Sequence, residues 1–370
     1  MARAVGAMTC AVVAATPIAC RSADAPTTDG TTLAREDSII TRTVAAGLPL
    51  PLVDHHVHIL GPDVLRDWQA VGVSFSRPAS TYSSVSAWLA SRALDTTHLD
   101  AMVLVPMAQL YGSAEFVDAL GLDVAAVQQR VARENDHVAR EAERHAGRAV
   151  ALCAVPALAA FARDELARCL AHPHTAGIKL HLAASGVDLR DSQHVAHVAT
   201  LFADAETSRT PVLLHLDTQQ RGTDVAHVRL FLERALGPAR TVPVLIAHAG
   251  GSGGYGAWTR SVLRTIVAWR DSVDASEGTP RPVYIDLSAV VLDEASEGVP
   301  PTTAAERASL QADVRAAGLE RFVFGSDAPV FHPLASAEAQ RKALALTPDE
   351  ARILLTRRLP RLFDALLPRR

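Results

Sequence analysis

Lysine is almost missing from this chain. Lys179 and Lys342 are the only two, and the rest of the basic charge is arginine. No run or patch of basic residues occurs and the net charge is −4, which argues against nucleic acid as a partner. Cysteine is scarce too, with 4 in 370 residues. Cys10 and Cys20 fall near the start, and Cys153 and Cys169 lack the paired spacing of a thiolate zinc site. Each of the latter sits in an apolar strand or helix pattern, so two buried free thiols are expected rather than a disulfide. No segment reaches the roughly 18 consecutive apolar residues of a transmembrane helix. What remains, at 49% hydrophobic and 21% charged residues, is the composition of a globular protein with an ample core.

The N-terminus has a pattern of its own. Arg3 is its one charge, an Ala/Val-rich stretch runs from Ala4 to Ala15, and Pro17-Ile18-Ala19-Cys20 follows. A short apolar core ending in small residues before a cysteine resembles a bacterial lipoprotein signal. Residues 1–20 are therefore read as a signal peptide. The chain is expected to be exported, either periplasmic or membrane-anchored through a lipid on Cys20. Residues 21–46 are rich in Thr, Ala, Asp and Ser without periodicity, and read as a flexible tether. The folded domain is expected over residues 47–370.

Within that domain, short β-branched apolar runs alternate with longer amphipathic ones. Eight strands are expected: Pro51–His58, Ala101–Met107, Ala149–Pro156, Ala176–Leu182, Pro211–Asp217, Pro243–His248, Pro282–Ser288 and Arg321–Ser326. The clearest helices are Val124–His145, Phe161–Ala171, His194–Ala205 and Ala226–Leu236. Alternation of this kind implies a parallel sheet, and eight units over about 320 residues fit a closed α/β barrel, the (β/α)8 TIM barrel. Gly61–Leu99 reads as a long loop with one short helix near Ser86–Ala93. Thr347–Leu367 reads as two short helices opened by Pro348 and Pro360.

Polar residues end several of the apolar runs, where barrel strands present their active-site groups. Asp54-His55-His56-Val57-His58 closes the first. Alternate side chains of a strand share a face, so His56 and His58 point together into the barrel. The fourth run carries Lys179 and His181 on one face. The fifth ends at His215, the sixth at His248-Ala249-Gly250-Gly251, and the eighth at Gly325-Ser326-Asp327. Any one of these has a bland reading as a satisfied core histidine or a helix cap. The set as a whole does not. Gly251-Ser252-Gly253-Gly254-Tyr255-Gly256 fits G-x-G-x-x-G, but it follows the sixth strand rather than the first. It reads as an active-site loop and not as a dinucleotide cradle.

As a set, Asp-His-His-Val-His, Gly-Ile-Lys-Leu-His, the fifth-strand histidine, His-Ala-Gly-Gly and Gly-Ser-Asp-Ala-Pro resemble the amidohydrolase superfamily. The branch resembled is the amidohydrolase-related one of metal-dependent hydrolases and zinc decarboxylases. The resemblance runs from about Leu52 to Pro329. It implies that His56, His58, His215 and Asp327 hold one divalent ion and that His248 stands beside it to polarise the substrate. It also implies a homodimer. Imidazole and carboxylate donors suit zinc with an open position for water, whose pKa the ion lowers. Asp327 would take that water's proton and His248 would donate to the developing oxyanion. In binuclear relatives a carboxylated lysine bridges two ions, so Lys179 with His181 leaves open a second metal or a contact with a substrate anion. A wall salt bridge is the plain alternative for Lys179. The substrate class is a small organic molecule, attacked at a C–N or C–O bond. A decarboxylase or other C–C lyase on the same metal site is the rival reading. A non-enzymatic barrel used as a binding module is the third.

Overall fold

The computed structural model describes residues 30–75, 77–218, 222–296 and 298–366. The expected signal peptide and Cys20 lie outside the described residues. Eight parallel strands follow one another around a single sheet: β1 Leu52–His58, β2 Leu99–Val105, β3 Ala149–Ala154, β4 Thr175–His181, β5 Val212–His215, β6 Val244–Ile246, β7 Val283–Asp286 and β8 Phe322–Val323. The ends meet through a parallel bridge between Val57 and Ala328, with His55 N donating to Phe324 O and Asp327 N to His56 O. This is the (β/α)8 barrel expected from the alternation of runs. Among the described residues no helix is long and apolar enough to cross a membrane.

Strand alternation sorts the side chains into two cores. Leu104, Leu152's neighbours Ala151 and Cys153, Ile178, Leu180 and Ile246 face outward into a shell of helices. Val53, Val103, Leu152, Leu213, Leu245 and Val323 face inward and fill the lower barrel. Leu359, Leu362 and Phe363 of the C-terminal segment close the bottom of that inner core. This segment was expected to be a second short helix opened by Pro360. Its described part is irregular up to a single 3-10 turn, Asp364–Leu366, and its plugging role explains why. The register of β1 shifts between Asp54 and Val57. At this bulge His55 turns down toward the plug, its ring edge-on to Phe363, while His56 stays with His58 at the upper rim.

The helices form where caps and apolar periodicity coincide. Asp123 accepts from Ala126 N to open Val124–Arg144, and Asp191 caps Ser192–Ser208 in the same way. The first connection is richer than expected: Pro62–Ala70, Ala79–Ser83 and Val85–Ser91 are all helical. The buried Glu134 of Val124–Arg144 braces it, accepting from Gly61 N at 2.7 Å and from Met107 N at 3.1 Å.

Burial pushes the Glu134 carboxyl up to about 7, against the pull of those two N–H groups. Its folded value thus lies above the usual one, so ionisation costs folding stability. Its contribution is fully present below about pH 4.5 and lost as pH rises through about 7. A shift of this size corresponds to about 3 kcal/mol. Denaturant unfolding of wild type and Glu134→Gln at several pH values isolates it. The stability advantage of wild type over the variant is expected to shrink by that order between pH 4.5 and 8.

Two expectations are corrected. Cys153 and Cys169 are joined as a disulfide, not free thiols. Helix Ala162–Leu170 folds back over β3 and brings the two Cα atoms to 6.0 Å, within bridging range. The stretch 21–46 is not a tether throughout, because Gly30–Val44 is a helix. Two of its polar residues explain its docking. Asp37 pairs with Arg77 and Arg92, and Thr41 Oγ1 donates to Arg92 O at 3.1 Å. Arg92 in turn donates to the carbonyls of Pro329 and Val330, just past the end of β8.

Candidate metal centre

At the upper rim of the barrel, β1 and β8 bring three donors together. His56, His58 and Asp327 are buried, and their ligand atoms all lie within 4.8 Å of one another. His58 Nε2 is 3.3 Å and His56 Nε2 3.7 Å from Asp327 Oδ1. Each histidine is aimed by its other nitrogen. His56 Nδ1 donates to Asp286 Oδ2 at 2.7 Å, and His58 Nδ1 to Val105 O at 3.0 Å. Both therefore present Nε2 to the centre, and a carboxylate behind His56 makes that ring the better ligand. His56 Nε2 and Asp327 Oδ2 are fully buried and make no hydrogen bond. Orphaned acceptors of this kind cost about 1–3 kcal/mol each unless a cation satisfies them. Two imidazoles and a carboxylate converging on one point fit a divalent ion.

The electrostatics favour the ligand forms. Burial, and then the nearby Lys179, hold His56 well below the usual imidazole value, so the ring is neutral at pH 7. Burial opposes ionisation of Asp327, but attraction to His248, His58 and His56 outweighs it. These rings hold the carboxyl at about 2. Asp327 and His248 both adopt left-handed backbone, at φ 62° and 53°. Such strain in non-glycine residues is retained where the surroundings over-determine it.

His248 stands beside the centre, its ring 5.0 Å from that of His56 and 4.8 Å from that of His215. Its Nδ1 is 2.9 Å from Ser288 O and 3.0 Å from Ser288 Oγ, while Ser288 Oγ donates to Asp286 Oδ2 at 2.9 Å. Asp286 thus sits behind both His56 and, through Ser288, His248. His215 was expected to be a fourth ligand with these three, but it lies outside the 4.8 Å group, one ring further round. His181 stacks on it at 3.7 Å. Lys179 is buried, and burial draws its ammonium down to about 8 against the pull of Asp327 and Asp286. Tyr111 bonds to Asp67, Arg77 to Asp37, and His332 caps helix Pro333–Ala343 beneath Thr41.

Asp286 and Ser288 escaped the sequence reading. The signal was available, since Asp286 ends the apolar run Val283-Tyr284-Ile285 just as His215 ends β5. Gly325 also gains a role. A Cβ there would lie 2.5 Å from Asp286 Oδ1 and 3.0 Å from His56 Cβ. Neither neighbour can yield without breaking the His56–Asp286 bond. Gly325→Ala is expected to cost about 1–3 kcal/mol in denaturant unfolding. It should weaken metal retention as well, which a surface Gly→Ala change would not do.

The amidohydrolase family model matches residues 53–356. No curated protein matches the sequence. Among solved structures, a Pseudomonas putida protein proposed to be a 2-pyrone-4,6-dicarboxylic acid hydrolase shares 20% identity. It has a TM-score of 0.50, with 86% of this chain and 98% of that one covered. The 5-carboxyvanillate decarboxylase of Sphingomonas paucimobilis shares 16%, at TM-score 0.52, covering 82% and 96%. That of Novosphingobium aromaticivorans, solved with manganese bound, shares 12%, at TM-score 0.53, covering 86% and 97%. These likenesses concern the fold, whereas the family match spans most of the domain and includes the strand ends that carry His56, His58 and Asp327. The chain belongs to the amidohydrolase family.

Proposed function

We propose that this protein is a metal-dependent hydrolase acting on a C–N or C–O bond of a small organic substrate. The observation that carries the reading is the convergence of His56, His58 and Asp327 within 4.8 Å, with buried donor atoms left unsatisfied. These three residues would hold the ion, with His215 as a further ligand, and the donor set suits zinc. When bound, the ion supplies Lewis acidity and makes water a nucleophile near neutral pH. Asp327, ionised at neutral pH, would accept a proton from the attacking water. His248, fixed through Nδ1 by Ser288, offers Nε2 to the substrate oxygen or the leaving group. Lys179 would meet a substrate anion.

Decarboxylation on the same residues is the second reading. Decarboxylases recur among the similar folds, and Lys179 is a cation suited to a substrate carboxylate. The deciding experiment compares chelated and zinc- or manganese-reconstituted protein on amides, lactones and hydroxylated aromatic acids. Metal-dependent release of an acid with an amine or alcohol supports hydrolysis. Metal-dependent release of carbon dioxide from an aromatic acid overturns it in favour of the second reading. The Cys153–Cys169 disulfide supports export to an oxidising compartment. Cell fractionation tests this, and confinement of the protein to the cytoplasm would reject it.

A further inference from the structure

A chain of polar groups links the end of β5 to the glycine-rich loop after β6, and the reading above does not use it. Ser252 donates its hydroxyl hydrogen to Asp217 Oδ2 at 2.6 Å. Trp258 Nε1 donates to Asp217 Oδ1 at 2.9 Å. On the other side, Ser252 Oγ lies 3.2 Å from His215 Nε2. A hydroxyl has one hydrogen, and an ionised carboxylate only accepts. With that hydrogen aimed at Asp217, the serine oxygen has only lone pairs to offer His215. His215 Nε2 must therefore carry the ring hydrogen and donate it, which leaves Nδ1 bare as its one ligating nitrogen.

This is the reverse of three of the rim histidines. His56, His58 and His248 each turn Nδ1 toward an oxygen acceptor and present Nε2. The plane of the His215 ring is set independently. It stacks on His181 at 3.7 Å and 10°, the two residues being register partners across β4 and β5. The loop that carries Ser252 is itself pinned, Gly254 N donating to Ala289 O at 2.8 Å and the Tyr255 hydroxyl to Asp313 at 2.8 Å.

We propose that Asp217, Ser252 and Trp258 are positioning residues that lock His215 as its Nε2–H tautomer, so that Nδ1 serves the ion held by His56, His58 and Asp327. The metal role rests on the proposed function, whereas the tautomer rests only on the relay. Because Ser252 belongs to the loop, loop position and ligand geometry are coupled. Withdrawal of the loop removes the acceptor that selects the tautomer.

Histidine nitrogen NMR on the full chain, metal-free and zinc-loaded, tests the proposal. In the metal-free wild type, His215 is expected as the Nε2–H tautomer and His56, His58 and His248 as Nδ1–H. Ser252→Ala should give mixed His215 tautomers and about tenfold weaker zinc binding, the low end for loss of a group behind a ligand. Trp258→Phe, which keeps an aromatic side chain and removes the indole donor, should shift the tautomer in the same direction without unfolding the protein. His215 found as Nδ1–H in the wild type overturns the relay. So does a Ser252→Ala variant with unchanged tautomer and zinc affinity. His56→Ala serves as the control. If it retains zinc, the metal reading fails, and the tautomer in metal-free protein still decides the relay.

Discussion

Replacing Asp286 with asparagine is expected to weaken metal binding by about 10- to 100-fold, as measured by competition with a chromophoric chelator. The carboxylate accepts from His56 Nδ1 at 2.7 Å, from Ser288 N at 2.6 Å and from Ser288 Oγ at 2.9 Å. An asparagine oxygen can accept only part of this and carries no charge, while its amide would turn hydrogens toward other hydrogens. His56 would lose both its aim and the polarisation that strengthens it as a ligand. Ser288 would lose its anchor, and His248 with it. The variant should therefore lose turnover beyond what added metal restores. Ser288→Ala separates the two effects. It leaves the His56–Asp286 bond in place, so metal binding should be nearly kept while turnover falls. Equal loss of metal in both variants would contradict this division of labour.

Replacing Asp37 with alanine is expected to destabilise the fold by about 3–5 kcal/mol, the range for removing one partner of a buried ion cluster. Asp37 is the carboxylate shared by Arg77 and Arg92, whose side chains are only 9% and 10% exposed. Without it, two guanidinium groups stay in the interior with no counter-charge. Arg92 is also the group that holds the carbonyls of Pro329 and Val330, so the damage should spread to the segment that follows Asp327. Thermal unfolding of wild type and Asp37→Ala, each with and without zinc, measures both parts. A loss below about 1 kcal/mol would mean that helix Gly30–Val44 is not docked on the barrel in solution.

The sequence disclosed the barrel because buried parallel strands leave a plain record. Each of the eight strands is an apolar run, and each run was found within a few residues of its true ends. His56, His58 and Asp327 were legible because histidine and aspartate interrupt those runs at the same end of the barrel. What escaped depends on geometry that alternation does not encode. The bulge in β1 lets His55 turn to the plugged bottom although its neighbour His56 faces the rim. The Cys153–Cys169 pairing depends on how one helix folds back over β3. Helix Gly30–Val44 has no strong local signal, with four threonines at its start and near its end, and it is held by Asp37 and Thr41 rather than by propensity. Asp286 was hidden by a misplaced strand end, since extending β7 to Ser288 buried the interruption inside the run.

The proposed function requires one divalent ion on His56, His58 and Asp327 at this rim. Elemental analysis of metal per chain, on wild type, His56→Ala and Lys179→Ala, tests it most directly. About one ion per chain, lost in His56→Ala and kept in Lys179→Ala, is the predicted result. Two ions per chain that fall together when Lys179 is removed would contradict the single-ion centre. Absence of metal from wild type after reconstitution with zinc or manganese would contradict the metal centre altogether.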